Sequence, residues 1–81
     1  MEVQVRLFGP SADALGAAHV TVRVEGEVTC LSLRKALGRD IPALTPYLDA
    51  GRFAVNHAFA RESQRIRPGD EVALIAMVSG G

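Results

Sequence analysis

A long apolar segment near the end of the chain limits the possible folds more than any other feature. From residue 72 to residue 78 every position is apolar, with no alternation between polar and apolar side chains. A strand has this composition when a helix covers one face and the other face is partly covered, as in the buried strands of parallel and mixed sheets. We therefore predict that residues 71–78 form a central strand.

Two other segments alternate between apolar and polar residues, which indicates strands with one buried face. They are residues 3–7 and residues 20–24. A period of two directs the apolar side chains toward the core and their neighbours toward solvent. We predict that these strands pair as a hairpin, that Phe53 and Val55 mark a third strand, and that residues 58–60 form a short fourth.

One helix is predicted between the second and third strands. Thr29 has a side chain suited to a helix N-cap. The apolar residues Cys30, Leu33 and Leu37 follow at spacings that stack them on one helical face. The helix is expected to end near Gly38, because glycine is common just beyond a helix C-terminus.

Two further segments have weaker helical patterns. Residues 11–18 are interpreted as a connector with one helical turn, capped by Ser11. Residues 41–44 are expected to form a second turn, which Pro46 ends because proline lacks the N–H that a helix interior requires.

The order of these elements predicts an α+β fold of the β-grasp, or ubiquitin-like, type. Its mixed sheet of four to five strands packs on one helix, with the last strand central and parallel to the first. We expect residues 1–78 to form this single domain and residues 79–81 to form a flexible tail.

Size, charge and composition exclude several classes of function. A chain of 81 residues buries only about 60% of its unfolded surface, which leaves little room for a deep catalytic cleft. Nine basic residues balance nine acidic ones, unlike the excess of positive charge in nucleic-acid binders. No segment has the apolar length of a membrane span or the pattern of a signal peptide, so we predict a soluble, cytoplasmic protein.

Internal residues do not form a recognisable catalytic or metal site. His19 and His57 are far apart and have no neighbouring cysteine, so no metal ion or bound cofactor is predicted. Cys30 is interpreted as a packing residue of the helix. The arginines within residues 61–67 are interpreted as part of a solvated face.

The last residues of the sequence, Gly80 and Gly81, carry no side chains. A backbone without Cβ atoms can enter a narrow channel and present its terminal carboxylate for reaction. A frayed, uninvolved terminus explains the same residues. Both interpretations remain open on the ending alone.

A second candidate feature lies on the outer face of the predicted sheet. Strand parity places Phe8, Ile75 and Met77 on this face, and Phe59 in the short strand flanks them. A contiguous apolar patch marks an interface, whereas scattered apolar residues need no explanation. The alternatives are an interface beside the tail and chance scatter.

Three motifs lie in the second half of the chain: Phe-Ala-Val-Asn at residues 53–56, Pro-Gly-Asp-Glu-Val-Ala-Leu at 68–74 and Val-Ser-Gly-Gly at 78–81. Together they resemble the small-subunit family of molybdopterin synthase, the ubiquitin-like sulfur carriers. The resemblance implies that a ubiquitin-activating-type enzyme adenylates Gly81 with ATP. A sulfur donor, such as a cysteine desulfurase or a rhodanese, then converts Gly81 to a thiocarboxylate.

The same resemblance implies a partner and a substrate. Gly80 lets the thiocarboxylate enter the large subunit of the synthase, where sulfur passes to cyclic pyranopterin monophosphate in molybdenum cofactor biosynthesis. The chain is then a sulfur-donating subunit that is not catalytic alone. The residues expected to bind the large subunit are Phe8, Phe59, Ile75, Met77, Val78 and Ser79.

The chain departs from the family at Ala76 and Met77, where prolines are common. Without proline the last strand is expected to run further, because proline removes a donor from the strand ladder. The alternatives to the molybdopterin pathway are a thiamine-pathway carrier, a modifier joined to target lysines through Gly81, and an interaction module with an inert tail.

Overall fold

The computed structural model describes residues 1–76 of the chain. Within this range no helix is long and apolar enough to cross a membrane. The elements in chain order are β1 (Glu2–Leu7), α1 (Pro10–Leu15), β2 (His19–Arg23), α2 (Cys30–Asp40), a 3₁₀ helix (Pro42–Leu44), α3 (Thr45–Ala50), β3 (Gly51–Val55), β4 (Ala58–Phe59) and β5 (Val72–Ala76).

The strands form one mixed sheet in the order β2-β1-β5-β3-β4. β1 pairs antiparallel with β2 and parallel with β5, and β5 pairs antiparallel with β3. The predictions of a hairpin between the first two strands and of a central last strand are therefore confirmed. The fold is α+β and of the β-grasp type, as predicted.

Helix α2 supplies much of the core that covers the inner face of the sheet. Its residues Cys30, Leu33 and Leu37 are almost completely buried, as the predicted spacing requires. Thr29 caps the helix, as predicted, by accepting a hydrogen bond from the backbone N–H of Ser32 at 3.1 Å. The Ser32 hydroxyl accepts in return from the Thr29 N–H at 2.8 Å, which completes a capping box.

Three predicted helix boundaries were wrong. Helix α2 continues beyond Gly38 to Asp40, and Ser11 does not cap α1 because the N-cap is Gly9. Ser11 is buried instead, and its hydroxyl donates to the backbone carbonyl of Phe8 at 3.0 Å. Pro46 does not end a helix; it lies in the first turn of α3, where its missing N–H costs nothing.

Near the described end of β5, the backbone passes unusually close to Gly51. Gly51 and Ala76 are partners in the ladder between β3 and β5, so pairing reaches the position where the family commonly has proline. A Cβ atom on Gly51 would lie 2.6 Å from the carbonyl oxygen of Tyr47 and 2.9 Å from that of Ile75. Both obstacles are backbone atoms, so only glycine fits without a shift of the chain.

We expect Gly51→Ala to lower the free energy of unfolding by about 1–3 kcal/mol, the usual cost of forcing extra atoms into a packed site. Gly38→Ala is the matched control, since its Cβ would meet Leu48 Cδ1 at an ordinary 3.7 Å. Within a helix, this second change should stabilise by about 0.5–1 kcal/mol. Urea unfolding of both variants measures the difference, and equal stabilities would contradict the prediction.

Candidate functional site

The outer face of the sheet carries two large, exposed aromatic side chains. Phe8, directly after β1, is 47% exposed, and Phe59 in β4 is 54% exposed. Ser11 anchors the backbone of Phe8 where β1 ends, through the hydrogen bond described above. Neither ring joins the core on the opposite face of the sheet.

A shallow depression of about 330 Å³ lies between the two rings. Its floor contains the small residues Ala54 and Ala73, which are paired in the register of β3 and β5. Ile75 and the two phenylalanines rise around this floor. Small side chains flanked by large ones produce the hollow, and together they form a contiguous apolar patch on an otherwise polar face.

The structure therefore brings together the three predicted residues Phe8, Phe59 and Ile75. Strand parity placed Phe8 and Ile75 on this surface, and Phe59 was predicted to flank them from the short strand. Their binding of a partner stays a prediction. The remaining predicted site residues, Met77, Val78, Ser79, Gly80 and Gly81, lie outside the described residues.

Arg6 lines the depression, and Arg52 lies beside it against Phe59; neither was predicted from the sequence as a site residue. The guanidinium carbon of Arg6 lies 5.9 Å from the centre of the Phe8 ring, and that of Arg52 lies 4.8 Å from the Phe59 ring. Both distances are within the range of cation–π attraction. The alternation of each strand predicts that these arginines point outward, but their contacts with the rings depend on the tertiary structure.

Asn56 links two of the sequence motifs at one end of the sheet. Asn56 and His57 both have positive φ angles, as a tight two-residue turn between β3 and β4 requires. The Asn56 side chain donates to Asp70 Oδ1 at 3.0 Å and accepts from the Glu71 N–H at 2.9 Å. These contacts fix the turn that leads into β5, and through it the position of the outer-face residues Ala73 and Ile75.

The Asp70 carboxylate is stabilised in its charged form by this turn. Its Oδ2 atom accepts from the backbone N–H of Arg67 at 2.8 Å, and this bond, followed by that from Asn56, lowers the pKa of Asp70. A carboxylate whose pKa is lowered by folding stabilises the fold at pH values above 3.8, its ordinary pKa. This contribution is lost as the pH falls through the pKa of the folded state.

We expect the wild type to be more stable than Asp70→Asn near neutral pH, with a difference that shrinks as the solution is acidified below pH 3.8. Asparagine keeps an acceptor of similar shape but has no proton to gain. Urea unfolding of both proteins across this pH range tests the prediction. A stability difference independent of pH would contradict it.

Several other titratable residues form ion pairs or are buried in the core. His57 lies 3.0 Å from Glu71, and Arg65 lies 3.6 Å from Glu27. Among residues 1–76, no group of three or more metal-ligating side chains is present. Burial raises the pKa of the Cys30 thiol, which disfavours the reactive thiolate.

Comparisons with known proteins agree with the fold and with the resemblance in sequence. The ThiS family model matches residues 5–81. The molybdopterin synthase sulfur carrier subunit of Homo sapiens is 31% identical over 83 residues, which cover 99% of this chain and 94% of the relative.

Two solved structures extend this comparison. SAMP1 from Haloferax volcanii has a TM-score of 0.82 and 29% identity, with 100% of both chains covered. A chain in the complex of subunits 1 and 2 of the molybdopterin-converting factor from Helicobacter pylori has a TM-score of 0.70 and 24% identity, again with 100% of both chains covered. The second likeness concerns the fold alone.

Proposed function

This chain belongs to the ThiS family, among the ubiquitin-like sulfur carriers, and we propose that it is the sulfur-carrying small subunit of a molybdopterin synthase. The observation that carries the proposal is the apolar depression around Phe8, Phe59 and Ile75 on the outer sheet face. Ile75 belongs to β5, the strand that leads to the terminal glycines. A partner bound at this face is therefore close to the tail.

The chemistry proposed for Gly81 requires no catalytic side chain in the carrier. An oxygen of its carboxylate attacks the α-phosphate of ATP on an activating enzyme, and pyrophosphate leaves. The adenylate is a much better leaving group than the original oxygen, so a sulfur donor can form the C–S bond as AMP departs. The resulting thiocarboxylate carries the sulfur to the large subunit, where cyclic pyranopterin monophosphate receives it.

The length of chain beyond β5 limits how far the reacting centre of the partner can lie from the sheet. Residues 77–81 can span at most about 17 Å when fully extended, at about 3.4 Å per residue. The reacting centre of the partner must lie within this distance of Ala76, the last described residue. A partner that docks on the outer face can contact Ile75, which lines the depression and directly precedes Ala76 in β5.

Intact-mass measurement tests the proposed function. The full chain is incubated with its activating enzyme, ATP and a sulfur source, and we expect one oxygen-for-sulfur exchange, located at Gly81 by fragmentation. Addition of the large subunit and cyclic pyranopterin monophosphate should reverse the exchange. A chain that is activated but never acquires sulfur would overturn the proposal.

The likeness to SAMP1, a second structure of which is described as small archaeal modifier protein 1, favours a second candidate function. In this alternative Gly81 is joined to lysines of target proteins. The same mass experiment, performed with cell extract, distinguishes the two functions. Covalent adducts that contain the whole chain, without thiocarboxylate formation, would favour the modifier.

A further inference from the structure

Arg6 and Arg52 occupy opposite sides of the central strand on the outer face. Arg6 is paired with Ala73 across β1 and β5, and Arg52 is paired with Ile75 across β3 and β5. One guanidinium group lies over the Phe8 ring and the other over the Phe59 ring. Each side of the apolar depression therefore has an exposed aromatic ring and a positive charge.

Neither arginine is neutralised within the described part of the chain. Four other arginines form ion pairs with carboxylates at 4.0 Å or less, whereas Arg6 and Arg52 form none among residues 1–76. The acidic residue that lines the depression, Glu71, lies 3.0 Å from His57 instead. The charges of Arg6 and Arg52 are therefore available to another molecule.

Contact with the rings prepares these arginines for binding. A guanidinium over an aromatic ring keeps its in-plane N–H donors free, because the ring takes only the flat face. The restricted side chain also loses less freedom when a carboxylate binds its two parallel donors. Arg6 and Arg52 thus present preorganised carboxylate-binding groups around an apolar centre.

We propose that Arg6 and Arg52 recognise two carboxylates on the large subunit, which flank the apolar side chain that enters the depression. The inference rests on the proposed function, since it takes the large subunit as the occupant of this face. Charge complementarity of this kind selects the partner and its orientation, and it accelerates association. The matching partner surface is therefore apolar at its centre and acidic on two opposite sides.

Charge reversal tests the inference with a matched control. Arg6→Glu and Arg52→Glu are compared with Lys35→Glu, which makes the same change of charge at an exposed position on α2. The probe is the molybdopterin synthase large subunit from the same genome, with affinity measured by titration calorimetry. We expect each arginine reversal to weaken binding by about tenfold or more and the lysine reversal to leave affinity within about twofold.

Salt dependence supplies a second measurement that does not rely on reversed charges. The association rate of the wild type should fall as ionic strength rises, and the double variant Arg6→Gln/Arg52→Gln should lose most of this dependence. Circular dichroism and urea unfolding verify that each variant keeps its fold.

The outcomes separate the inference from the proposed function. If the wild type binds the large subunit but both reversals keep full affinity, the arginine inference fails and the proposed function stands. An equal loss in Lys35→Glu, or a loss only in adenylation by the activating enzyme, also overturns the inference. If the unaltered chain does not bind the large subunit, the proposed function fails, and the inference fails with it.

Discussion

Replacing Gly81 with alanine is expected to abolish sulfur transfer while leaving the free energy of unfolding unchanged. The proposed mechanism places the carbonyl carbon of Gly81 at two reacting centres, first in the activating enzyme and then in the large subunit. A Cβ beside that carbon widens the backbone at both centres, and a misplacement of about 1 Å costs about a hundredfold in rate at each of them. Single-turnover transfer to cyclic pyranopterin monophosphate measures the loss.

A residue added after Gly81 should have the same effect for a different reason. The carboxylate of Gly81 becomes an amide carbonyl, which has no free oxygen to attack ATP. Gly38→Ala is the control for Gly81→Ala, because it makes the same glycine-to-alanine change within α2, where the added Cβ meets only ordinary contacts. Full sulfur transfer by either Gly81 variant would remove this residue from the mechanism.

The strands could be predicted from the sequence because their patterns reflect burial directly. Alternation in β1 and β2 follows from one buried face. The continuous apolar run of β5 follows from a buried inner face and a half-buried outer face, where Ala73 and Ile75 line the depression. Helix α2 was also predictable, since Thr29 and the apolar spacing mark its start and its buried face. These signals are local consequences of the final packing.

The features that were predicted wrongly or not at all involve residues that are compatible with more than one local structure. Proline both interrupts a helix and begins one, and Pro46 begins α3 because it lies in the first turn. Serine at the start of a helix suggests a cap, but the backbone places Gly9 there and leaves Ser11 to bond Phe8. The close approach at Gly51 depends on Tyr47 and Ile75, whose proximity cannot be read from periodicity.

The candidate site was predictable only in its apolar part. Parity placed Phe8 and Ile75 on the outer face, and the structure shows that they line one depression with Phe59. Arg6 and Arg52 gave no such signal, because a charged residue on an exposed strand face is the ordinary case. Their significance follows from contacts with rings on neighbouring elements.

Phe8→Asp is expected to weaken binding of the large subunit by about 30-fold or more, the loss of 2 kcal/mol typical of a central aromatic contact. A carboxylate at this position would lie against the apolar side chain that we expect in the depression, which is unfavourable. The substitution also removes the ring under Arg6. The cost to folding should be small, since Phe8 lies outside the core and its carbonyl still accepts from Ser11.

Leu31→Asp is the matched control, because Leu31 is 38% exposed on α2, across the sheet from the depression. It introduces the same charge in place of another exposed apolar side chain. Affinity for the large subunit and the rate of adenylation are measured for both variants. We expect only Phe8→Asp to lose affinity and both to be adenylated normally, since the tail that reacts with ATP is unchanged.

This pair of measurements distinguishes the outer face from the tail as sources of specificity. Normal adenylation with lost affinity means that the depression acts after activation, when the carrier meets the large subunit. Lost adenylation in Phe8→Asp, with the fold intact, would instead assign the depression to the activating enzyme. Unchanged affinity in a folded Phe8→Asp protein would show that the large subunit does not bind this surface.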